Sequence, residues 1–311
     1  MIVVAGESLV DLLVRPDGSV EATPGGGPYN VARALARLGV AVAFVGRLSN
    51  DRFGRILRAR LVADGVDLRW IRSTDDPTLL AVAELDEDRA ATYRFHSAGT
   101  AAPGFVASDL PGGLPAETTA FHIGTLGIVL EPIATTIEGL VARAADDVLV
   151  ALDLNCRPAA IREVRAYRAR LDRLYERVDL VKASTDDLHW LERGVDAEET
   201  ARSIVGRGPA AVLLTDGAGP VRVITSHARE SVPVPPVDVV DSVGSGDAFG
   251  AGFLASWVEA GRGRRDLTDI TAVLEATRFA VRVGALTATR AGADPPTRAE
   301  LGLPSPAGVV G

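Results

Sequence analysis

Asp241-Ser-Val-Gly244-Ser-Gly246-Asp247-Ala-Phe-Gly-Ala-Gly-Phe253 follows the strand-like run Val237 to Val240 and opens a helix of small and apolar residues. Gly244, Ser245 and Gly246 permit a tight turn whose amides point one way, and the free N–H groups of the helix's first turn add to them. The partial positive charge at a helix start makes such a turn an anion site. Asp247 falls on that first turn. Read alone, it either caps the helix or accepts the proton of a hydroxyl that attacks a bound phosphoryl group.

The same strand–turn–helix rhythm runs through most of the chain. Ile2 to Ala5, Val42 to Val45, Ala120 to Ile123, Val148 to Leu152, Leu180 to Lys182 and Ala211 to Thr215 read as buried strands. Asn30 to Leu38, Arg52 to Ala63, Pro132 to Ala144 and Tyr167 to Tyr175 read as helices. This alternation predicts an α/β fold with a mostly parallel sheet covered on both faces. Two places break it. Leu12 to Ala22, around Pro16-Asp17-Gly18, reads as a hairpin, and so do Leu79 to Leu85 and Thr92 to His96, around Asp86-Glu87-Asp88. Four strands with no helix inside either pair form either a small sheet projecting beside a cleft, a candidate lid, or two surface hairpins. No repeat or low-complexity linker divides the chain, so we expect a single domain over 1–311 with lid strands inserted at about 11–24 and 79–98. Leu303 to Gly311 is rich in Pro and Gly and is expected to fray.

Composition narrows the function classes. The 311 residues, 47% of them hydrophobic, are ample for a core. No apolar run reaches the ~18 residues of a membrane span. The chain opens on Ile2-Val3-Val4-Ala5 with no basic segment before it, which reads as a first strand rather than a signal peptide. Cys156 is the only cysteine, which excludes an intramolecular disulfide framework and fits a reducing cytoplasm. A formal charge of -8 sets the chain against nucleic acid as a partner. Local amides and a few arginines still permit a phosphorylated small ligand. Lys182 is the only lysine, either a chance survivor of an arginine-biased composition or a functional group. No GxxxxGK[ST], no H-R-D and, after the first strand, no GxGxxG occurs, which argues against a P-loop, a protein kinase and a Rossmann site there.

A second glycine-rich segment, Pro24-Gly25-Gly26-Gly27-Pro28-Tyr29-Asn30, precedes a helix that ends at Leu38-Gly39. Its glycines let the backbone approach a ligand, and Asn30 offers both a donor and an acceptor to a polyol. A glycine turn with an ordinary Asn cap explains the same residues.

Together these two segments resemble the two signatures of the ribokinase-like (PfkB) carbohydrate kinases. Other stretches follow in the family's order: Gly46 to Asp51 and Gly54, Asp153-Leu-Asn155-Cys-Arg157-Pro158, Val181-Lys182-Ala-Ser184-Thr-Asp-Asp187-Leu-His-Trp190-Leu191, and Thr215-Asp-Gly217-Ala-Gly219. The resemblance covers nearly the whole chain and is nearest to the fructokinase-like members. It implies a ribokinase-like three-layer α/β/α sandwich with a small β-sheet lid, ATP as phosphate donor, and Mg2+. It makes Asp247 the catalytic base and Gly244, Ser245 and Gly246 the anion hole. Asp11, Gly26, Gly27 and Asn30 match positions that hold sugar hydroxyls. Arg157 and Lys182 become phosphate neighbours, with Arg157 also beside the substrate. Lys182, Ser184, Thr215, Gly217 and Gly219 fall at the nucleotide, Asp187 where a residue orders Mg2+ through water, and Asp241 where a monovalent cation would sit. Lid sheets of this family also pair between subunits, which implies a homodimer.

Some positions depart from the pattern. Tyr29 replaces a small residue and is expected either to narrow the sugar pocket or to reshape the acceptor set. Ala102 stands where fructokinase-like members place Asp, Val281 where Asn often lies near the adenine, and Pro296 where ribokinases offer a serine to a monovalent cation. A K+ dependence is therefore not carried over. The resemblance implies transfer of the γ-phosphate to a primary hydroxyl of a ketose, fructose first. The rivals are a 2-keto-3-deoxygluconate kinase, with Arg94 of Tyr93-Arg94-x-x-Ser97-Ala98 pairing a sugar-acid carboxylate, then a nucleoside kinase, and outside the enzymes a sugar-binding regulator.

Overall fold

The computed structural model describes residues 1–85 and 91–304. The turn expected around Asp86-Glu87-Asp88 and the terminal stretch from residue 305 onward lie outside the described residues. In chain order the strands are β1 (Ile2–Ala5), β2 (Leu9–Val14), β3 (Val20–Gly25), β4 (Val42–Ser49), β5 (Ile71–Thr74), β6 (Leu79–Leu85), β7 (Ala91–His96), β8 (Ala120–Gly124), β9 (Leu149–Asp153), β10 (Leu180–Ser184), β11 (Ala211–Asp216), β12 (Gly219–Thr225) and β13 (Arg229–Val232). The α-helices are α1 (Gly27–Arg37), α2 (Arg52–Asp64), α3 (Ile133–Ala142), α4 (Val164–Tyr175), α5 (Thr185–Leu191), α6 (Ala197–Val205), α7 (Ser245–Glu259) and α8 (Ile270–Ala288).

Nine strands form the central sheet in the order β13-β12-β11-β10-β9-β8-β1-β4-β5. Pairing is parallel from β11 through to β5 and antiparallel only at β11–β12 and β12–β13. Because strand side chains alternate, each buried strand feeds two cores. Ile2, Val4, Phe44, Leu149, Leu180 and Leu213 pack with Leu35, Phe253, Trp257 and Val283 of α1, α7 and α8. Val3, Ala5, Phe121, Val150, Val181 and Val212 pack with Ile137, Leu171 and Ile204 of α3, α4 and α6. Helices on both faces make the three layers that continuous β-branched runs predict.

β2, β3, β6 and β7 form a separate four-stranded sheet in the order β3-β2-β6-β7. The two hairpins are joined by a parallel β2–β6 ladder, so they are not independent surface features. The ladders place Asp11, Ala81 and Phe95 on one face and Leu12, Val82 and Arg94 on the other.

The run Val237 to Val240 is not a strand. Pro233, Pro235 and Pro236 just before it lack ladder donors, and Val239 and Val240 are 62% and 65% exposed. Val240 and Asp241 instead donate their amides to the carbonyl of Ala288, at the end of α8. Small residues explain how α7 is held. A Cβ on Gly252 would lie 3.0 Å from Cα of Ala280, and one on Gly284 would lie 3.0 Å from the Ser245 carbonyl. The glycines thus let α7 and α8 approach closely, which fixes the start of α7. No helix among the described residues is long and apolar enough to cross a membrane.

Candidate active site

Asp247 sits on the first turn of α7 and is buried. Its Oδ2 accepts a hydrogen bond from Asn30 Nδ2 at 2.8 Å, across 217 residues of sequence. The Oδ1 of Asn30 is buried with no described partner. Burial raises the Asp247 pKa, while the Asn30 bond and the charges of Lys182 and Arg157 oppose the rise. α1 can bring Asn30 here because its N-terminus is pinned. Gly26 caps it at φ 110°, where a Cβ would stand 2.9 Å from the Glu7 carbonyl. The Glu7 carboxylate accepts from the amides of Gly27 at 3.2 Å and Gly127 at 2.9 Å. Burial pushes Glu7 up to about 8. Nothing in the segment Gly6-Glu7-Ser8 announced that brace; its donors lie far along the chain.

Gly244 precedes Asp247 in the left-handed region, φ 76°, as a turn into α7 requires. Lys182 lies beneath the turn: a Cβ on Gly246 would stand 3.0 Å from its Nζ. The ammonium is paired to Asp153 Oδ2 at 3.0 Å, with both side chains buried. Burial raises Asp153 to about 7 against the pull of Lys182, and pushes the neighbouring His122 down to about 3.

The surroundings of Asp247 are built from two directions. The Asp11 carboxylate, on β2, accepts no hydrogen bond among the described residues, and burial raises it to about 6 against the charge of Arg157. A Cβ on Gly25 would collide with its Oδ2, and one on Gly27 with Thr125 Oγ1, so both glycines leave room for polar groups. Thr125 and Asn155 are non-glycine residues at positive φ, 51° and 36°, and Asn155 Nδ2 donates to Thr125 Oγ1 at 3.2 Å. Strained residues gather at functional sites; Thr125 was not singled out in the sequence, and Asn155 only as a member of the Asp153 to Pro158 stretch. Arg157 is exposed and makes no described ion pair, its guanidinium donating to the Cys156 carbonyl at 3.2 Å. Among the described residues, Lys182 and Arg157 are the cations that act on Asp11, Asp153 and Asp247, and none acts on Glu7. The carboxylates' mutual repulsion adds to burial in keeping the carboxyls weakly acidic. A cavity of about 650 Å³ opens between Phe95, with the 97–100 segment, and Leu130, Ala160 and Ile161; Asp247, Asn30 and Lys182 do not line it.

Ser184 and Thr215 are paired at the ends of β10 and β11, with the open turn of Gly217 and Gly219 beyond them. Asp187 is committed elsewhere. Its Oδ1 accepts from the Cys156 amide at 2.7 Å and its Oδ2 from the Ser184 amide at 2.8 Å, a capping box at the start of α5. Asp241 is similarly engaged, by the amides of Val243 at 3.0 Å and Gly292 at 2.8 Å. Among the described residues no cluster of three His, Cys, Asp or Glu side chains could hold a metal ion. The residues present therefore do not fit a protein-built Mg2+ cage.

Two expected contacts fall outside the site. Arg94 projects from the face of the small sheet opposite Asp11, is 65% exposed and lies 3.6 Å from Glu84. Tyr29 is fully buried and its hydroxyl donates to the Leu57 carbonyl on α2, so it does not narrow an acceptor pocket.

The profile of the pfkB family carbohydrate kinases matches residues 1–300. The chain belongs to that family. As a pfkB carbohydrate kinase it is a phosphotransferase that acts on a sugar. It is 36% identical over 260 residues to a fructokinase of Rhizobium leguminosarum bv. trifolii, covering 82% of this chain and 79% of the relative. Its structure resembles that of a Xylella fastidiosa fructokinase with bound ATP, with a TM-score of 0.88 and 31% identity over 96% of each chain. A Vibrio cholerae fructokinase double mutant bound to fructose, ADP and potassium ion aligns with a TM-score of 0.82 and 26% identity, covering 94% of this pfkB kinase and 93% of that chain.

Proposed function

We propose that the protein is an ATP-dependent fructokinase that moves the γ-phosphoryl group to the 6-hydroxyl of fructose, with Asp247 as general base. The observation that carries the chemistry is the Asp247 carboxylate on the first turn of α7, 2.8 Å from Asn30 and directly after the glycine turn. The likeness to fructokinases supports the sugar. Asp11, Asn30 and the backbone at Gly26 and Gly27 hold the acceptor hydroxyls, with Thr125 and Asn155 beside them. Asp247 takes the hydroxyl proton as the oxygen attacks phosphorus, and ADP leaves. Charge developing on the phosphoryl oxygens meets the amides of Gly244 to Gly246 and the Lys182 ammonium. Ser184, Thr215, Gly217 and Gly219 line the nucleotide. Mg2+, for which the described side chains form no cage, would be held mainly by the nucleotide's phosphates and would neutralise their charge. The four-stranded sheet is the lid of a single domain and limits water as a competing acceptor. The family resemblance alone supports a homodimer and a cytoplasmic setting.

Arg94 faces away from Asp11, so a sugar acid loses the cation expected to recognise it. With ATP and Mg2+, an ADP-coupled assay over hexoses, pentoses, sugar acids and nucleosides is expected to give fructose a kcat/KM at least ~10-fold above 2-keto-3-deoxygluconate and nucleosides. A higher value for the sugar acid would transfer the assignment to that substrate. The pH dependence is a second check. Asp11 can accept hydroxyl protons at both oxygens only when ionised, and burial raises its pKa to about 6. KM for fructose is therefore expected to rise as pH falls through about 6. Asp11→Asn should raise KM ~10-fold or more and flatten that rise.

A further inference from the structure

We infer that Asp153 is a positioning residue for phosphoryl transfer: it holds Lys182, the chain's only lysine, against the amide turn at Gly246, where the ammonium meets the transferred group. This deepens the phosphotransfer reading above and rests on it.

Lys182 lies on β10 and Asp153 on the neighbouring β9, in register with each other. The bond between them is 3.0 Å and both side chains are nearly inaccessible. A buried ion pair is a weak source of stability, and an apolar pair of similar volume does as well or better. Here the geometry adds a direction. The pair ends under the glycine turn, 3.0 Å from where a Gly246 Cβ would stand. A lysine stem is flexible, so its ammonium serves a phosphoryl group only if something fixes it.

The surroundings leave Asp153 as the partner that does so. The groups facing the ammonium are His122 from β8, Asp153 from β9, Asp187 from α5 and Asp247 from α7. His122 is buried and neutral, and its Nδ1 has no described partner. Both oxygens of Asp187 are occupied by backbone amides. Asp247 is engaged by Asn30. The void between His122, Asp153, Lys182, Gly250 and Phe253 is about 10 Å³, room for one water at most. The other oxygen of Asp153, Oδ1, is buried with no described partner. Asp153 therefore contributes one strong bond, to the lysine.

The test uses the full chain and compares Lys182→Met, Asp153→Asn and the double variant, with thermal melting as a check on folding. Lys182→Met is expected to lower kcat by ~10²-fold with KM for the sugar little changed, as for loss of one transition-state donor. If Asp153 acts only through Lys182, the double variant matches Lys182→Met, a full coupling of the two sites. In Asp153→Asn the lysine loses its closest opposite charge, so the alkaline limb of kcat against pH is expected to move to lower pH. A purely structural pair would not move that limb. Should Asp153→Asn fail to fold, the comparison of Lys182→Met with the double variant still decides. Full activity in Lys182→Met, or a further ~10-fold loss in the double variant, overturns the proposal. Wild-type protein run alongside separates the two failures: no ADP from any sugar sinks the kinase reading and this proposal with it, whereas an active wild type with unaffected variants sinks this proposal alone.

Discussion

Asp247→Asn is expected to lower kcat by ~10²-fold or more, about 2.7 kcal/mol of barrier, with KM for the sugar largely kept. The substitution is nearly isosteric. An asparagine oxygen can still accept the bond that Asn30 Nδ2 now gives to Oδ2 of Asp247 at 2.8 Å, so α1 and α7 keep their contact. What disappears is basicity. The wild-type carboxyl has a raised pKa, mainly through burial; a stronger base shares the hydroxyl proton further along in the transition state. The measurement is steady-state turnover with the preferred sugar, with melting temperature and sugar affinity as controls. Near-normal turnover would remove Asp247 from the mechanism.

Gly244→Ala should be nearly as damaging, by a different route. A Cβ there would stand 2.5 Å from the Cβ of Ala293 and 2.8 Å from its Cα. The backbone is at φ 76°, a region costly for alanine. The opposing loop cannot easily yield, because Asp241 ties Gly292 back at 2.8 Å. The turn must therefore rotate, which mis-aims its amides. Losing one aligned donor costs ~10²- to 10³-fold in rate, so kcat/KM for ATP is expected to fall by ~10²-fold. Calorimetric titration of ATP and turnover read the effect. Gly65→Ala, at the C-cap of α2 and not among the site residues, is the control: the space around it is open, φ is 88°, and only a mild loss is expected. Equal losses in both variants would show that the effect is generic to glycine replacement and not carried by the anion turn.

The sheet and the anion turn were legible because both rest on local signals, β-branched runs between helices and glycines before a small-residue helix. What was missed depends on distant pairing. The β2–β6 ladder joins strands from separate hairpins, and Glu7 finds its donors on α1 and near Gly127. Two misplacements were readable in principle. Arg94 precedes Phe95, and period-2 alternation puts neighbours on opposite faces; once Phe95 shares a face with Asp11, Arg94 cannot. Tyr29 adjoins Asn30 on α1, where successive side chains diverge by about 100°, so with Asn30 toward Asp247 the ring turns to α2. Val237 to Val240 was over-read because valines were weighed and the three prolines before them were not.

The small sheet has its roots inside the candidate acceptor site. β2 starts two residues beyond Glu7, and β3 runs out at Gly25, immediately before the glycine that caps α1. Any tilt of those strands shifts Asp11 relative to Asn30. On the function proposed above, the grip on the hydroxyls and the shutter over them would be one linked mechanism: a bridging sugar would stiffen the hinge, and an empty, loosened clasp would leave water unaligned. Idle hydrolysis of nucleotide would then be restrained without a separate gate.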